Sequence, residues 1–368
     1  MRDDVPSKPC PAILDCTLRD GSYVVDFGFT AGDTYGFAER LFYLGFPFIE
    51  VGHGIGLGAS RKGMGVSAAS DEEYMEAARD CSVRFPDGKW GMFCIPGVAS
   101  LEDVDLAASY DMGFIRIGCE VSNVESAKPF IERARHHGIY VFSNLMKSYA
   151  ASPSEFAKQA SKCVEYGAQC VYIVDSAGGM LPGDIGAYAN ALRDLCPDVR
   201  LGFHGHNNLG LAVANALHSA DLGFGVIDVS LQGLGRSGGN VPSEQFISAL
   251  IVYGQRPSDD TWVPHYDVPY DPVAVMQAGD DLVRQYVQPI SSLDVTAGLA
   301  QFHSSYMPRI LDVAKARRVD PRRLILAVSE RDKLNAPLEL IEECAAQLEG
   351  MAPSSALITK PYYGQEQS

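Results

Sequence analysis

An eightfold alternation of short apolar runs with longer amphipathic segments constrains the fold of this chain most strongly. The runs are rich in β-branched and aromatic residues and read AILDC, FPFIEV, WGMFCIP, FIRIG, IYVFSNL, CVYIVD, VRLGFH and VIDVSL. Runs that are apolar on both faces are typical of a parallel sheet covered on both sides. Eight strand–helix units are the number that closes a barrel, so we predict an α/β fold, a TIM (β/α)8 barrel. An open doubly wound sheet is the structural alternative.

The segments between the runs have helical spacing. In TAGDTYGFAERLFYLG, the side chains of Phe37, Leu41 and Leu44 share one face, and Gly45 is placed to end the helix. The segment SPSEFAKQASKCVEYG opens with a Ser-x-x-Glu pattern, which caps helix N-termini. These patterns predict helices between the strands.

The domain boundaries follow from where the alternation stops. The strand–helix units fill residues 12–255, close to the ~250 residues typical of the barrel, and residues 1–11 are predicted to be an N-terminal extension. The stretch GQRPSDDTWVPHYDVPYDP is rich in proline and aspartate and has no period, so we place a boundary there. We predict a helical C-terminal domain over 256–349 that contributes to the active site, and a loose tail over 350–368.

Composition and charge exclude several classes of partner. The formal net charge of -16 repels phosphate backbones and anionic membrane surfaces, so we expect neither nucleic acid nor membrane as a partner. No uninterrupted apolar stretch of about 18 residues and no apolar leader is evident, and we expect a cytoplasmic protein. The nine cysteines form no CxxC pair, which favours reduced thiols over a disulfide framework or a zinc ribbon.

Polar residues gather where the predicted strands end, which is where TIM barrels place their reactive groups. Read along the chain, these are Arg19, Asp20, Glu50, His53, Asn144, Asp175, Ser176, His204, His206 and Asn240. His204 and His206 are two residues apart on an extended strand and therefore point to the same face. Strands one and seven flank strand eight in a closed barrel, so Asp20 can reach the same point. Two histidines and one carboxylate form a facial triad with open positions, and we predict a divalent metal on them.

Other interpretations of these residues remain open at this point. The two histidines can be strand residues satisfied by backbone or water, and the loop GLGRSGGN can cradle a phosphate. Lys147 is a candidate Schiff-base lysine of a class I aldolase, as a second choice. An Fe(II) oxygenase uses the same donor set, and an inactive metal-binding subunit is a further alternative.

Six motifs together resemble the DRE-TIM metallolyases, and within them the 4-hydroxy-2-oxovalerate aldolases. They are LDCTLRDGSY, FIEVGHGIGLG, YIVDSAGG, HGHNNLGLAVAN, GLGRSGGNVPSE and FHSSY, and the resemblance spans roughly residues 12–345. It implies a barrel whose helical C-terminal domain lends residues to the mouth. It also implies a divalent ion on Asp20, His204 and His206, most often Mn²⁺ or Mg²⁺, with Zn²⁺ or Co²⁺ as further choices.

The resemblance implies a class II aldolase that makes or cleaves a carbon–carbon bond between pyruvate, as its enolate, and an aldehyde. The substrate is then of the 4-hydroxy-2-oxo acid type. A Claisen-type acyl transfer from an acyl-CoA to a 2-oxo acid, as in homocitrate-like synthases, is the alternative. In this scheme Arg19 supports the enolate and also contacts the substrate, together with Ser176 and Asn144. We expect Glu50, His53 and Asn240 to orient these groups.

Two positions depart from the pattern of the aldolases. The family usually carries a histidine, the presumed base, where this chain has Tyr23, and a tyrosine where this chain has His303. We therefore predict that His303 is the catalytic base and that Tyr23 is its hydroxyl partner. The alternative is that Tyr23 only fills the mouth and that His303 is a surface histidine.

Partners are predicted from the same resemblance and from the C-terminal sequence. A 2-oxo acid and an aldehyde are the expected small molecules. Degradative members of the family pair with an acylating aldehyde dehydrogenase, which is an open question for this chain. The segments LILAVSERDKL and LELIEECAAQL offer apolar stripes beyond the need of one domain, so we expect a homodimer.

Overall fold

The structure is a computed structural model that describes residues 8–254 and 266–349. Eight parallel strands pair in chain order and close a barrel, because the first strand also pairs with the last. The closed barrel confirms the predicted fold class and excludes the open sheet. The strands are β1 Ala12–Asp15, β2 Phe48–Val51, β3 Lys89–Cys94, β4 Phe114–Glu120, β5 Tyr140–Met146, β6 Cys170–Asp175, β7 Arg200–Gly205 and β8 Val226–Val229.

Helices surround the barrel and continue beyond it. A helical turn, α1 Thr17–Asp20, directly follows β1. One longer helix then follows each strand: α2 Ala31–Tyr43, α3 Asp71–Ser82, α4 Leu101–Ser109, α5 Lys128–His136, α6 Pro153–Tyr166, α7 Pro182–Leu195, α8 Ala212–Asp221 and α9 Ser243–Gly254. The C-terminal helices are α10 Pro272–Leu282, α11 Ser292–Ala300, α12 Met307–Arg317, α13 Pro321–Arg331 and α14 Leu338–Leu348.

The residues predicted to begin and end helices are found at the helix ends. At the start of α2 the Thr30 side chain accepts a hydrogen bond from the Asp33 amide, and the Asp33 carboxylate accepts one from the Thr30 amide. Gly45 follows the helix with a φ of 88°, a conformation that favours glycine. Ser152 caps α6 by accepting a hydrogen bond from the Glu155 amide.

The interior of the barrel is layered. The lower layer is aromatic: the ring centroids of Phe48, Phe114 and Phe142 lie 5.3–5.6 Å apart. Side chains two residues further along a strand point in the same direction. The next layer is therefore occupied by Glu50, Arg116, Asn144, Val174, His204 and Asp228, all of them buried. The strands thus carry an apolar floor below and charged and polar groups above, toward their C-terminal ends.

The described residues form two large hydrophobic cores, and the change from the first to the second comes later in the chain than the domain boundary predicted after residue 255. Tyr266, Tyr270 and buried residues of α10 belong to the core between the barrel and its helices. Helices α11–α14 enclose a second core that begins at Leu293. The short strands Lys8–Pro9 and Tyr266–Asp267 pair with each other, which attaches the N-terminal extension to the segment after the barrel. The predicted tail, residues 350–368, lies outside the described residues.

Two further expectations concern thiols and membranes. All nine cysteines lie in the described part of the chain, and all are free. Across residues 8–254 and 266–349, every helix is too short or too polar to span a bilayer.

Candidate active site

The C-terminal ends of the strands open into a cavity of about 530 Å³. One wall is apolar and includes Ile55, Phe93 and Val98. The segment between α11 and α12 closes another side with His303 and Tyr306. The C-terminal helices therefore supply part of the wall of this cavity.

Three buried side chains converge at the bottom of the cavity. Asp20, His204 and His206 each offer one ligand atom, and these atoms all lie within 4.8 Å of one another. Asp20 lies on the turn α1 just after β1, His204 lies within β7, and His206 is the residue after its end. A backbone bridge between His206 and Asn240 ties this end of β7 to the loop after β8. The fold thus brings together the three predicted metal ligands.

The chemistry of the three residues fits a cation. Asp20 Oδ2 and His206 Nδ1 are buried and have no hydrogen-bond partner among the described residues. Buried polar atoms without partners are rare because each costs about 1–3 kcal/mol. Although burial opposes it, the guanidinium of Arg19 and the nearby histidines hold the pKa of Asp20 well below its usual range. Burial lowers the pKa of His206 to about 3. An ionised carboxylate and a neutral imidazole are the forms that bind metal.

His204 is oriented by a carboxylate on the adjacent strand. Its Nδ1 lies 2.8 Å from Asp228 Oδ2. This contact places the Nδ1 proton toward the carboxylate and leaves Nε2 as the lone-pair donor. A carboxylate behind a histidine is the usual way in which a protein fixes the tautomer of a metal ligand.

Arg19 lies beside the three ligands. Its Nε donates to Glu50 Oε2 at 2.8 Å, and its Nη1 donates to Asp20 Oδ1 at 2.8 Å. Burial opposes the charged form, but the two carboxylates raise the pKa of Arg19 well above its ordinary value. The guanidinium also lies 5.0 Å from the centre of the Phe93 ring. Arg19 is therefore a fixed, permanently charged donor on the cavity wall.

Arg116 and Asp228 contact the residues of this site, and the sequence analysis missed both. Arg116 Nη1 donates to Glu50 Oε2 at 2.6 Å, and its Nη2 donates to Asp228 Oδ2. Both residues lie in runs that we interpreted as apolar, FIRIG and VIDVSL. One signal in the sequence could have revealed them. Arg116 lies two residues after Phe114 and Asp228 two residues after Val226, and because these apolar residues face into the barrel, the charged residues do so as well.

The predicted substrate contacts line the cavity. Asn144 lies on β5, and its Oδ1 is buried without a partner among the described residues. Ser176 follows β6, and its Oγ accepts a hydrogen bond from the Lys147 amide at 3.0 Å. The Ser176 hydroxyl can therefore still donate its proton to a ligand.

Lys147 connects the barrel to the C-terminal helices. Its Nζ donates to the Leu334 carbonyl at 2.7 Å and to the Tyr306 hydroxyl at 3.3 Å, and lies 3.1 Å from Glu120 Oε1. The amine is buried and has three oxygen partners. A Schiff-base nucleophile needs an amine that is free to attack, so this geometry disfavours the class I interpretation.

His303 lines the cavity, but its hydrogen bonds disfavour a base. Its Nδ1 accepts a hydrogen bond from the Ser305 amide at 3.2 Å and lies 2.7 Å from the Ser305 hydroxyl. A neutral imidazole carries one proton, which must then be on Nε2. Burial, reinforced by the charges of Arg236 and Lys147, holds the pKa of His303 well below its usual range. The ring is therefore neutral, and in this tautomer Nε2 carries the proton. The base role of His303 stays a prediction, and it would require the proton to move from Nε2 to Nδ1.

Tyr23 lines the same cavity, on the 3-10 turn after α1. The guanidinium of Arg236 lies 4.5 Å from the centre of its ring, and Arg236 Nε donates to Ser304 Oγ at 3.0 Å. Both residues of the predicted exchange, Tyr23 and His303, thus face one cavity.

His53 and Asn240 are the other two residues predicted to orient these groups, and their contacts differ. The His53 ring stacks on Phe27 with centroids 3.9 Å apart, and its Nδ1 accepts a hydrogen bond from the Ile55 amide. Burial lowers the pKa of His53 to about 4. Its described contacts include no metal ligand, so His53 supports the loop after β2. Asn240 donates to Cys16 Sγ at 3.3 Å, and its backbone forms a bridge with that of His206.

The comparisons with known proteins agree with this geometry. A family model described as HMGL-like matches residues 10–269. The chain is 36% identical to a 4-hydroxy-2-oxovalerate aldolase of Serratia proteamaculans, over 92% of this chain and 98% of that protein. It is 41% identical to an oxaloacetate decarboxylase of Mycobacterium tuberculosis, over 68% of this chain and 73% of that protein.

Solved structures show the same fold at lower identity. An HMG-CoA lyase from Brucella melitensis matches with a TM-score of 0.63 and 20% identity, over 76% of this chain and all of that one. The carboxyl transferase domain of Rhizobium etli pyruvate carboxylase matches with a TM-score of 0.70 and 14% identity, over 92% of this chain and 60% of that one.

Proposed function

Given that this chain belongs to the HMGL-like family, we propose that it is a metal-dependent carbon–carbon lyase. As an aldolase it makes or cleaves the bond between pyruvate, as its enolate, and an aldehyde, with a 4-hydroxy-2-oxo acid as the substrate. The observation that carries this proposal is the convergence of Asp20, His204 and His206 beside Arg19 in one buried cavity. The aldolase relatives cover nearly the whole chain and favour this reaction over the Claisen-type alternative.

Asp20, His204 and His206 would hold the divalent ion. A set of two nitrogens and one carboxylate oxygen accepts Mn²⁺ or Mg²⁺, and also Zn²⁺ or Co²⁺. When bound, the ion supplies Lewis-acid polarisation of a keto oxygen.

The residues of the chain supply the remaining stabilisation. Arg19 is charged, buried and held by two carboxylates, so it meets the developing enolate oxygen without reorganisation. One preorganised donor of this kind contributes about 3–4 kcal/mol to the transition state. Ser176 and Asn144 offer further hydrogen bonds, which we assign to the pyruvyl part of the substrate.

A second candidate function is decarboxylation of a 3-carboxy-2-oxo acid of the oxaloacetate type. Breaking the bond between C3 and the carboxylate releases CO₂ and leaves the electron pair on the same pyruvate enolate, so no hydroxyl proton has to be removed. The observation that favours decarboxylation is the tautomer of His303. Its Nδ1 accepts a hydrogen bond from the Ser305 amide, so its Nε2 carries the proton and acts as a donor. The 41% sequence identity to an oxaloacetate decarboxylase also supports this second candidate function.

One experiment separates these possibilities. The protein loaded with Mn²⁺ is incubated with pyruvate in D₂O, and exchange at C3 is followed by NMR. Parallel reactions contain 4-hydroxy-2-oxo acids of different chain lengths, or oxaloacetate, with free Mn²⁺ alone as the control for metal-catalysed decarboxylation. Exchange with aldol cleavage supports the first candidate, and exchange with decarboxylation alone supports the second. Absence of C3 exchange would reject both.

The partners beyond the substrate stay predictions. We propose a homodimer, to be tested by light scattering on the purified protein. A bound acylating aldehyde dehydrogenase would co-purify with the chain from its native source, and its absence from such preparations would argue for an independent enzyme.

A further inference from the structure

We propose that Arg116 is a positioning residue that holds both halves of the site from behind, the enolate-stabilising Arg19 and the metal ligand His204. This inference rests on the proposed function, because it assigns a role within that reaction. It adds a residue whose position inside the barrel was interpreted from the sequence as core.

The contacts of Arg116 form one continuous buried chain. On one side, Nη1 donates to Glu50 Oε2, the same oxygen that accepts from Arg19 Nε. On the other side, Nη2 donates to Asp228 Oδ2, the same oxygen that lies 2.8 Å from His204 Nδ1. Two shared oxygen atoms therefore connect the guanidinium of Arg19 to the imidazole of His204 through Arg116.

The carboxylates along this chain depend on both guanidiniums. Arg19 and Arg116 face three carboxylates, Asp20, Glu50 and Asp228, and all five groups are buried. Burial opposes the charged form of Arg116, but Asp228 and Glu50 raise the pKa of its guanidinium above the ordinary value. Without Arg116 the three carboxylates would be left with the one guanidinium of Arg19, which contacts Asp20 and Glu50. A buried carboxylate that loses a hydrogen-bond partner is costly, so we expect Glu50 and Asp228 to shift and to release the groups that they hold.

The shape of the side chain also matters. Arg116 lies 4.9 Å from the centre of the Tyr172 ring and 5.8 Å from that of Phe93, so the guanidinium is held by aromatic rings as well as by acids. A planar guanidinium donates in two fixed directions from two nitrogens, whereas an ammonium is a single point charge. Lysine at this position would therefore keep the charge but could not hold both carboxylates in the same geometry.

The test compares Arg116→Lys, Arg116→Met and Arg116→Ala with the native protein. We expect each variant to bind Mn²⁺ 10- to 100-fold more weakly in calorimetric titrations, the usual effect of losing the support behind a metal ligand. We expect C3 exchange of pyruvate at saturating Mn²⁺ to fall by about 10²- to 10³-fold, because Arg19 is released as well. The matched control is Arg133→Met, which removes an exposed arginine paired with Asp105 far from the cavity and should change neither readout.

Chemical rescue separates positioning from folding. Arg116 lines the cavity, so guanidinium ions can enter the space left by Arg116→Ala. Guanidinium at millimolar concentration should restore C3 exchange at least tenfold, and equal concentrations of NaCl or urea should not. Near-UV circular dichroism of each variant reports whether the core is intact. If Arg116→Met or Arg116→Ala does not fold, Arg116→Lys alone decides the outcome.

A double-substitution cycle tests the coupling itself. Glu50→Gln weakens the Arg19 side and Asp228→Asn the His204 side, and coupling through Arg116 predicts that their effects on Mn²⁺ affinity are not additive. The proposal is overturned if Arg116→Lys matches the native protein in both readouts, or if the two substitutions are additive. A native protein that binds Mn²⁺ but does not exchange C3 protons would reject the proposed function, while the affinity measurements would still decide the role of Arg116.

Discussion

The role of His303 is decided by replacing it with glutamine and with alanine. Glutamine places an N–H group close to the position of the imidazole Nε2 but does not accept a proton near neutral pH. We expect His303→Ala to slow aldol cleavage by about 10²- to 10³-fold, the usual loss of one preorganised donor. We expect His303→Gln to stay within about tenfold of the native rate, because it keeps that donor.

The magnitude follows from the Ser305 contact. A base at Nε2 requires the proton to move to Nδ1, which breaks the 3.2 Å hydrogen bond from the Ser305 amide. Leaving that amide unpaired costs about 1–3 kcal/mol, which lowers the population of the required tautomer roughly 5- to 150-fold. General bases contribute about 10²- to 10⁴-fold, so this penalty removes much of what His303 would supply as a base.

The assay follows pyruvate release from a 4-hydroxy-2-oxo acid with lactate dehydrogenase and NADH. C3 exchange of pyruvate is measured on the same samples and should be similar in all variants, since it needs no proton from a hydroxyl group. His136→Gln, on the exposed end of α5, is the matched control. If His303→Gln is as slow as His303→Ala in cleavage while exchange is intact, His303 is the base and the tautomer argument is refuted.

Three further predictions test other parts of the structure. Mn²⁺ at 100 times its dissociation constant should stabilise the native protein by about 2.7 kcal/mol in thermal melts but should leave Asp20→Asn unchanged, and equal shifts would contradict the metal site. Lys147→Met should lower the free energy of unfolding by about 1–3 kcal/mol, because buried hydrogen bonds are lost. Treatment of the native protein with pyruvate and borohydride should add no mass to the chain, and an added mass on Lys147 would show that it forms a Schiff base. Burial raises the pKa of Asp15 to about 7, so the folded state binds this proton more tightly and stability falls as the pH rises from about 4 toward 7. Between pH 5 and pH 8 the native protein should therefore lose about 3 kcal/mol more than Asp15→Asn in urea melts, whereas parallel curves would refute this.

The sequence was sufficient for the fold and for the convergence of Asp20, His204 and His206 because both depend on local pattern. Each barrel strand is a buried apolar run, and each run was found. His204 and His206 are separated by one residue at the end of β7, and Asp20 follows β1, which lies on the other side of β8 from β7 once the barrel closes. Strand periodicity and barrel closure fix these relations without knowledge of any side-chain contact.

The contacts between distant segments were not predictable in this way. Arg116 and Asp228 meet across the barrel, 112 positions apart in the chain, and a single charge in an apolar run carries no record of its partner. His53 has the residue type of an orienting group, but Phe27 stacks on it and holds it in the loop. The tautomer of His303 depends on one amide hydrogen bond, which no sequence pattern specifies.

The residues that agree with the family motif and those that depart from it lie in different parts of the cavity. Asp20, Arg19 and the two histidines bind the 2-oxo acid end in our proposal, and the enolate forms there whichever group leaves C3. Tyr23 and His303 depart from the motif and also line the cavity, and in the same proposal they would meet the group attached at C3. A change at these two positions therefore alters which bond is cleaved without altering how the enolate is stabilised. For this reason C3 exchange and carbon–carbon cleavage should respond independently to substitution: Arg19→Lys should slow both, whereas Tyr23→Phe should slow only cleavage. Equal loss of both activities in Tyr23→Phe would show that the two ends of the cavity act as one unit.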